Sequence, residues 1–249
     1  MRAFPAPSLT LLAALITAGP LLAACGDTPR GPSYVSPDSG FAADWYVPQP
    51  DPLPPDMSVG GDAAPATCPV TDVSASDASY AAVCWVVGKG VMDAPGGQFN
   101  PEGTFTRAVM ARHLILLKHG TSFQISTSNT FSDVPQSDPH YRYIQKLVDD
   151  GITVGCNVAG DKFCPGDAAT NAHGASFAVR MKLNAQPFTI SSEQPYFTDV
   201  PSSHWGFRTI QRIHEDKAGV PCGAQTYCPD TAITRGKWAR VLYRYFSGN

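Results

Sequence analysis

Charge is scarce in this chain. Of 249 residues, 16% are charged and the formal net charge is −3, with no basic stretch. That balance excludes broad electrostatic affinity for nucleic acid. Long apolar runs are missing too: Leu9–Leu22 is broken by Gly19-Pro20 and is too short to span a bilayer stably. There is no phosphate-cradling glycine loop and no pair of carboxylates in an obvious cleft. The six histidines (His113, His119, His140, His173, His204 and His214) are scattered, and no two share a helix at metal-ligand spacing. Gly174-Ala-Ser176-Phe-Ala imitates a nucleophile elbow, but it falls on a predicted helix with no preceding strand, which makes Ser176 a helix-surface hydroxyl. These absences point away from an enzyme and from any cofactor or metal.

What the chain has is repetition. Phe197-Thr-Asp-Val-Pro201 in the last fifty residues falls on Phe131-Ser-Asp-Val-Pro135 at an offset of 66, and Ile210, Ile213 and Cys222 fall on Ile144, Leu147 and Cys156. After a loop length change, Cys228-Pro229 and Thr234 fall on Cys164-Pro165 and Thr170 at an offset of 64. A third, worn copy begins at Val70-Thr-Asp-Val73, 61 residues earlier, and continues through Tyr80, Phe99, Pro101 and Thr106-Arg107. A period near 60 residues marks a repeat protein. One such unit buries too little surface to stand alone comfortably, so the copies are expected to pack together or carry cross-links.

Seven cysteines divide into one and six. Residues 1–24 have the layout of a secretory signal and end Leu22-Ala-Ala-Cys25. This resembles the bacterial lipobox, and the resemblance implies a lipidated Cys25, held to a membrane through its acyl chains. The other six are exported and even in number, which favours disulfides. Cys156–Cys164 and Cys222–Cys228 occupy matching places in two copies, leaving Cys68 to Cys84. Two loops of two thiols could also supply four zinc ligands, although seven and five intervening residues are wide for a zinc knuckle.

Residues 25–67 carry prolines throughout and no helical or strand period, so they read as a disordered, extended spacer reaching on the order of 100 Å at about 3.1 Å per residue. Phe41, Trp45 and Tyr46 interrupt it as an aromatic patch. Each copy then reads as helix, loop, helix. The first helix buries Tyr80, Val83 and Val86 or Val87 in copy one, Tyr141, Ile144 and Leu147 in copy two, and Phe207, Ile210 and Ile213 in copy three. Ser202 or Ser203 is the expected cap of the last of these. The second helix starts at Thr106, Thr170 or Thr234, and because Val109, His173 and Lys237 stand three residues on, no reciprocal capping box is expected. Gly174 and Ala178 replace Trp238 and Leu242 in copy two, so that helix is expected to pack less well. The layout is signal 1–24, lipidated spacer 25–67, and copies 68–122 (degenerate), 129–186 and 195–249.

Phe131/Asp133/Val134, Phe197/Asp199/Val200, Phe163/Pro165, Tyr227/Pro229, Thr106-Arg107-Ala108 and Thr234-Arg235 recur in one order. Together they resemble the S-layer homology domain, a bacterial cell-envelope module usually found in threes. The resemblance covers residues 68–249 and implies an all-α, pseudo-threefold assembly of three helix-loop-helix repeats. It also implies binding of cell-wall polysaccharide or peptidoglycan-linked glycan in grooves between repeats. The motif arginine would fork onto a sugar carboxylate and an aromatic face would stack on the ring. Carried over by position, the glycan-binding candidates are Arg107, Arg235 and Trp205. Asn171 replaces the arginine in copy two, and the motif glutamate is absent throughout. For Asp72, Asp133 and Asp199 the expected role is capping their own turn. The expected protein is a lipid-anchored envelope component, outer-membrane by the Gly26 that follows Cys25, with surface-layer proteins as further partners. The alternative is a structural or protein-interaction module that has lost glycan binding.

Overall fold

The computed structural model describes residues 68–126 and 129–248, all within Tyr34–Asn249, one of the chain's two compact units. The signal, Cys25 and the proline-rich spacer lie outside the described residues. Among the described residues, six α-helices come two to a copy: α1 (Tyr80–Gly88) and α2 (Arg107–His119), α3 (Tyr141–Asp149) and α4 (Asn171–Lys182), α5 (Phe207–Glu215) and α6 (Arg235–Phe246). Among the described residues, extended pairing is limited to isolated bridges, so the all-α class holds. No described helix is long and apolar enough to cross a membrane.

The first helix of each copy follows the apolar spacing. Val83 and Val86, Ile144 and Leu147, and Ile210 and Ile213 are all fully buried. Its start differs from expectation, because Gly206, not Ser202 or Ser203, is the N-cap of α5 and supplies no side-chain cap. The chain reaches that point through stacked turns, with His204 N–H donating to Pro201 O (2.8 Å) and Phe207 N–H to His204 O (2.9 Å).

The second helices begin as read. Thr106, Thr170 and Thr234 each accept the amide three residues on, at 3.3–3.4 Å. One expectation fails here: α4 does have a reciprocal box, because His173 Nδ1 accepts Thr170 N–H at 3.2 Å. An unprotonated imidazole nitrogen is an acceptor, so histidine performs the task usually given to glutamate.

Two further amides of each first turn point at the next copy. Arg107 and Ala108 N–H donate to Asp167 O and Pro165 O, Asn171 and Ala172 to Thr231 O and Pro229 O, and Arg235 and Gly236 to Gly103 O and Pro101 O. The donors that a helix start leaves orphaned are therefore satisfied between copies. That bonding runs one to two, two to three and three back to one. Helix packing follows the same direction: α2 lies on α3, α4 on α5 and α6 on α1, while α4 also touches α2 and α6. The two helices of one copy are not among the close helix pairs of the described residues. The helices of each copy thus pack on those of its neighbours and not on each other.

Gly174 is the third correction. A Cβ there would meet Ile233 Cδ1 at 3.1 Å and the Trp238 ring at 3.4 Å, and Trp238 is fully buried. The missing side chain in α4 is the space that the indole of α6 fills, so the substitution is complementary packing and not a thin helix.

The segment leading into each copy is fixed against the first helix. Gln145 Oε1 accepts Thr130 N–H (3.3 Å) and its Nε2 donates to Thr130 Oγ1 (3.2 Å). Gln211, 66 residues on, accepts Tyr196 N–H (3.1 Å) and donates to Ser192 O and Gln194 O. The matching place in copy one is Cys84, which is joined to Cys68.

Candidate functional site: the joints between copies

Each joint is built around the loop that precedes a second helix. Asp72, Asp133 and Asp199 do not cap their own turns. Each carboxylate spans the copy and accepts two backbone amides at the loop's far end: Phe99 and Asn100 (2.8 and 2.6 Å), Phe163 and Cys164 (both 2.8 Å), and Tyr227 and Cys228 (2.9 and 2.7 Å). These charge-assisted bonds hold the Asp72 carboxyl below the ordinary range. The second residue of each pair has a positive φ, 55° at Asn100 and 57° at Cys164 and Cys228. Left-handed backbone costs a non-glycine residue about 1–2 kcal/mol, which the carboxylate clamp offsets.

The sulfur atoms reinforce the same loops. Cys156–Cys164 and Cys222–Cys228 are disulfides, as is Cys68–Cys84. Asp133 with Cys156 and Cys164, and Asp199 with Cys222 and Cys228, gather three potential ligand atoms within 4.8 Å. In each group the sulfurs are bonded to one another and both carboxylate oxygens are taken by amides. Each is a stapled loop, and the thiols a zinc site would need are committed to disulfides.

The clamped loop presents a carbonyl to the motif position of the preceding copy. Arg107 Nε donates to Phe163 O (3.0 Å), Asn171 Nδ2 to Cys228 O (2.7 Å), and Arg235 Nε to Phe99 O (2.7 Å). Both guanidinium groups also cover the ring whose carbonyl they hold, at 4.9 Å for Arg107 on Phe163 and 4.5 Å for Arg235 on Phe99. They differ in access. Arg107 is 1% exposed, with Phe177 on another side at 5.3 Å, whereas Arg235 is only partly buried and reaches Asp93 O through Nη2. Arg107 therefore locks copy one to copy two, and Arg235 retains an exposed edge.

Trp205 stands elsewhere. Its indole is half-buried beside two imidazoles, His204 at 5.5 Å with an interplanar angle of 27° and His173 of α4 at 5.2 Å and 37°. That places the aromatic at the joint of copies two and three, where the motif position is Asn171. Arg235 is at the joint of copies three and one. The candidates named from the sequence are thus distributed over three joints, not gathered in one.

Lys237 shares Arg235's helix start. Burial, joined by the charge of Arg240 and partly opposed by Asp199, lowers its pKa to about 8. Among residues the sequence set aside, Ser176 is not a surface hydroxyl: it is buried and hydrogen-bonds Thr209 Oγ1 at 2.8 Å between α4 and α5. His113 is buried edge-on to Phe105 at 5.4 Å. Sequence reasoning missed the histidines beside Trp205, and the signal was their position: His173 occupies the residue that caps α4, and His204 precedes the indole.

The described residues thus form helix pairs that pack each on the next copy, with the motif side chains at the joints. Residues 70–111 and 130–155 match the S-layer homology domain family, covering copy one as far as α2 and the first half of copy two. No curated protein matches the chain. S-layer homology domains are in general cell-surface modules that bind cell-wall glycan, and the match supports association with the bacterial envelope.

Proposed function

We propose that this chain is a lipid-anchored, non-catalytic envelope protein. Its three S-layer homology copies, arranged about a pseudo-threefold axis, bind cell-wall polysaccharide or peptidoglycan-linked glycan. The cyclic bonding of helix starts to neighbouring loops supports that arrangement. The observation that carries the binding role is that the motif side chains lie at the joints, with Trp205 and Arg235 both partly accessible. An indole suits the apolar face of a sugar ring, and a guanidinium suits an acidic substituent. Lipidation of Cys25 and the proline-rich spacer would give the head reach from an outer membrane, with wall glycan and surface-layer proteins as partners.

The full-length chain incubated with purified sacculi tests this by co-sedimentation. Trp205→Ala and Arg235→Ala are each expected to weaken binding by about tenfold, on the scale of a lost stacking or charge-assisted contact. Arg107→Ala is expected to lower stability first, because its side chain is buried. Palmitate incorporation that disappears in Cys25→Ser tests the anchor.

A second reading, a structural or protein-interaction module, is favoured by one observation: the only arginine-less joint is the one with the tryptophan. Absence of co-sedimentation at any salt concentration would select it.

A further inference from the structure

Both rings that flank Trp205 do a second job, and it depends on protonation. His204 Nδ1 accepts Gly206 N–H at 3.0 Å, and Gly206 is the N-cap of α5. His173 Nδ1 accepts Thr170 N–H at 3.2 Å, and Thr170 is the N-cap of α4. Nδ1 can accept only while unprotonated, and a proton placed there would face an amide proton. The same side chains hold Trp205 and start the two helices that meet at this joint.

We propose that the His173–Trp205–His204 ladder is an acid-sensitive latch on the joint between copies two and three. Protonation of Nδ1 forfeits the helix-start bond, loosens the first turn of α4 or α5, and releases the indole into the groove. The charged groups facing the pair set the balance. Arg107, from α2, opposes a charge on His173, and burial acts in the same direction and more strongly, lowering its pKa to about 3. Asp230, ahead of α6, lies 3.3 Å from His204 Nε2. Burial thus guards His173, and His204, whose Nδ1 holds the Gly206 amide at the partly exposed side of the joint, is the arm the test addresses. The other copies have no such device, since Val109 and Pro139 stand at one joint and Lys237 and Ala78 at the other.

Amide spectra of the full-length chain between pH 7.5 and 4 test the latch, with the Trp205 indole resonance assigned by its loss in Trp205→Phe. The Gly206 amide and Trp205 indole are expected to shift along one titration curve while the protection factor of Gly206 falls at least tenfold. In His204→Asn, a side-chain oxygen can take the Gly206 amide but cannot titrate, so the response is expected to vanish. An unchanged Gly206 protection factor in the folded wild-type chain down to pH 4 overturns the proposal, as does a full response in His204→Asn. Should that variant not fold, the wild-type titration alone decides. The consequence for ligand rests on the glycan reading, but these readouts involve no glycan, so the two ideas fail separately.

Discussion

Copy one and its two successors solve the same problem with different chemistry. In copies two and three a buried glutamine grips the incoming segment, through the amide of Thr130 or Tyr196. The matching residue before copy one is Pro69, which has no amide to donate. A glutamine at position 84 would keep a buried polar head without that partner. The Cys68–Cys84 disulfide replaces the hydrogen bonds with a covalent link. Two other positions follow the same division. Asp150 and Asp216 cap α3 and α5, where Asp150 binds Lys118, His119 and Lys146 and Asp216 pairs with Arg212, whereas Lys89 caps α1. His113 stands where Phe177 and Val241 stand. The worn copy is therefore rebuilt, not merely decayed.

Removing the disulfide is the strongest way to break that comparison. Cys68→Ser with Cys84→Ser is expected to cost about 3 kcal/mol, the loop-closure value for a span of this length. Gln145→Ala, which removes both hydrogen bonds to Thr130 and empties a fully buried site, is expected to cost about 2 kcal/mol. Cys68→Ser with Cys84→Gln should remain as unstable as the double serine, and adding Pro69→Thr should recover about 1 kcal/mol by restoring a donor. Denaturant melts of the four variants measure this. No recovery on adding Pro69→Thr would show that the glutamine and the disulfide are not functional equivalents.

The next effect sharpens the comparison through pH. Burial, assisted by Arg235, Arg112 and His140, lowers the pKa of His113 to about 3. The folded value lies below the unfolded one near 6.5, so the unfolded chain binds the extra proton between them. Stability from this site is complete above about pH 6.5 and is lost as pH falls toward 3. At pH 5 the loss is expected to be about 2 kcal/mol, from about 1.4 kcal/mol per pH unit. His113→Phe, the residue of copy two, should remove that part of the slope. Thermal melts at pH 7 and 5 that show an unchanged difference in His113→Phe would contradict it.

Much of this was legible in the sequence because repeats report on themselves. The threonine caps, the core pairs Ile144/Leu147 and Ile210/Ile213, and the cysteine pairing all follow from one copy overlaid on another. What stayed hidden depends on partners that no single copy contains. The bond from each motif arginine to the following copy's carbonyl is invisible along the chain. The aspartates looked like local caps because their amide partners lie 27–31 residues away. A further recurrence escaped notice between copies. Phe123 and Phe188 each lie under an arginine, Arg142 or Arg208, that also binds their carbonyl at 3.1 Å. Ser126 and Ser191 donate to Asp149 and Glu215. Those linker residues carry no apolar period, and their role appears only when the strap is laid across α3 or α5.

Gly174 offers the smallest effect and the finest test of how the copies fit together. In an exposed helix, glycine to alanine gains about 1 kcal/mol from backbone propensity. Here the new methyl would approach Ile233 Cδ1 at 3.1 Å and lie against the Trp238 ring at 3.4–3.5 Å. The isoleucine end can yield by a few tenths of an ångström, but the fully buried indole has little room to move, so the two contributions nearly cancel. Gly174→Ala is expected to change stability by less than about 0.5 kcal/mol, and Gly174→Leu to lose more than about 2 kcal/mol through overpacking. In a Trp238→Ala background, where the indole's volume is vacant, Gly174→Leu should recover stability. If it costs the same in both backgrounds, the glycine and the tryptophan are not coupled, and the tight fit between copies two and three does not depend on their exchange of volume.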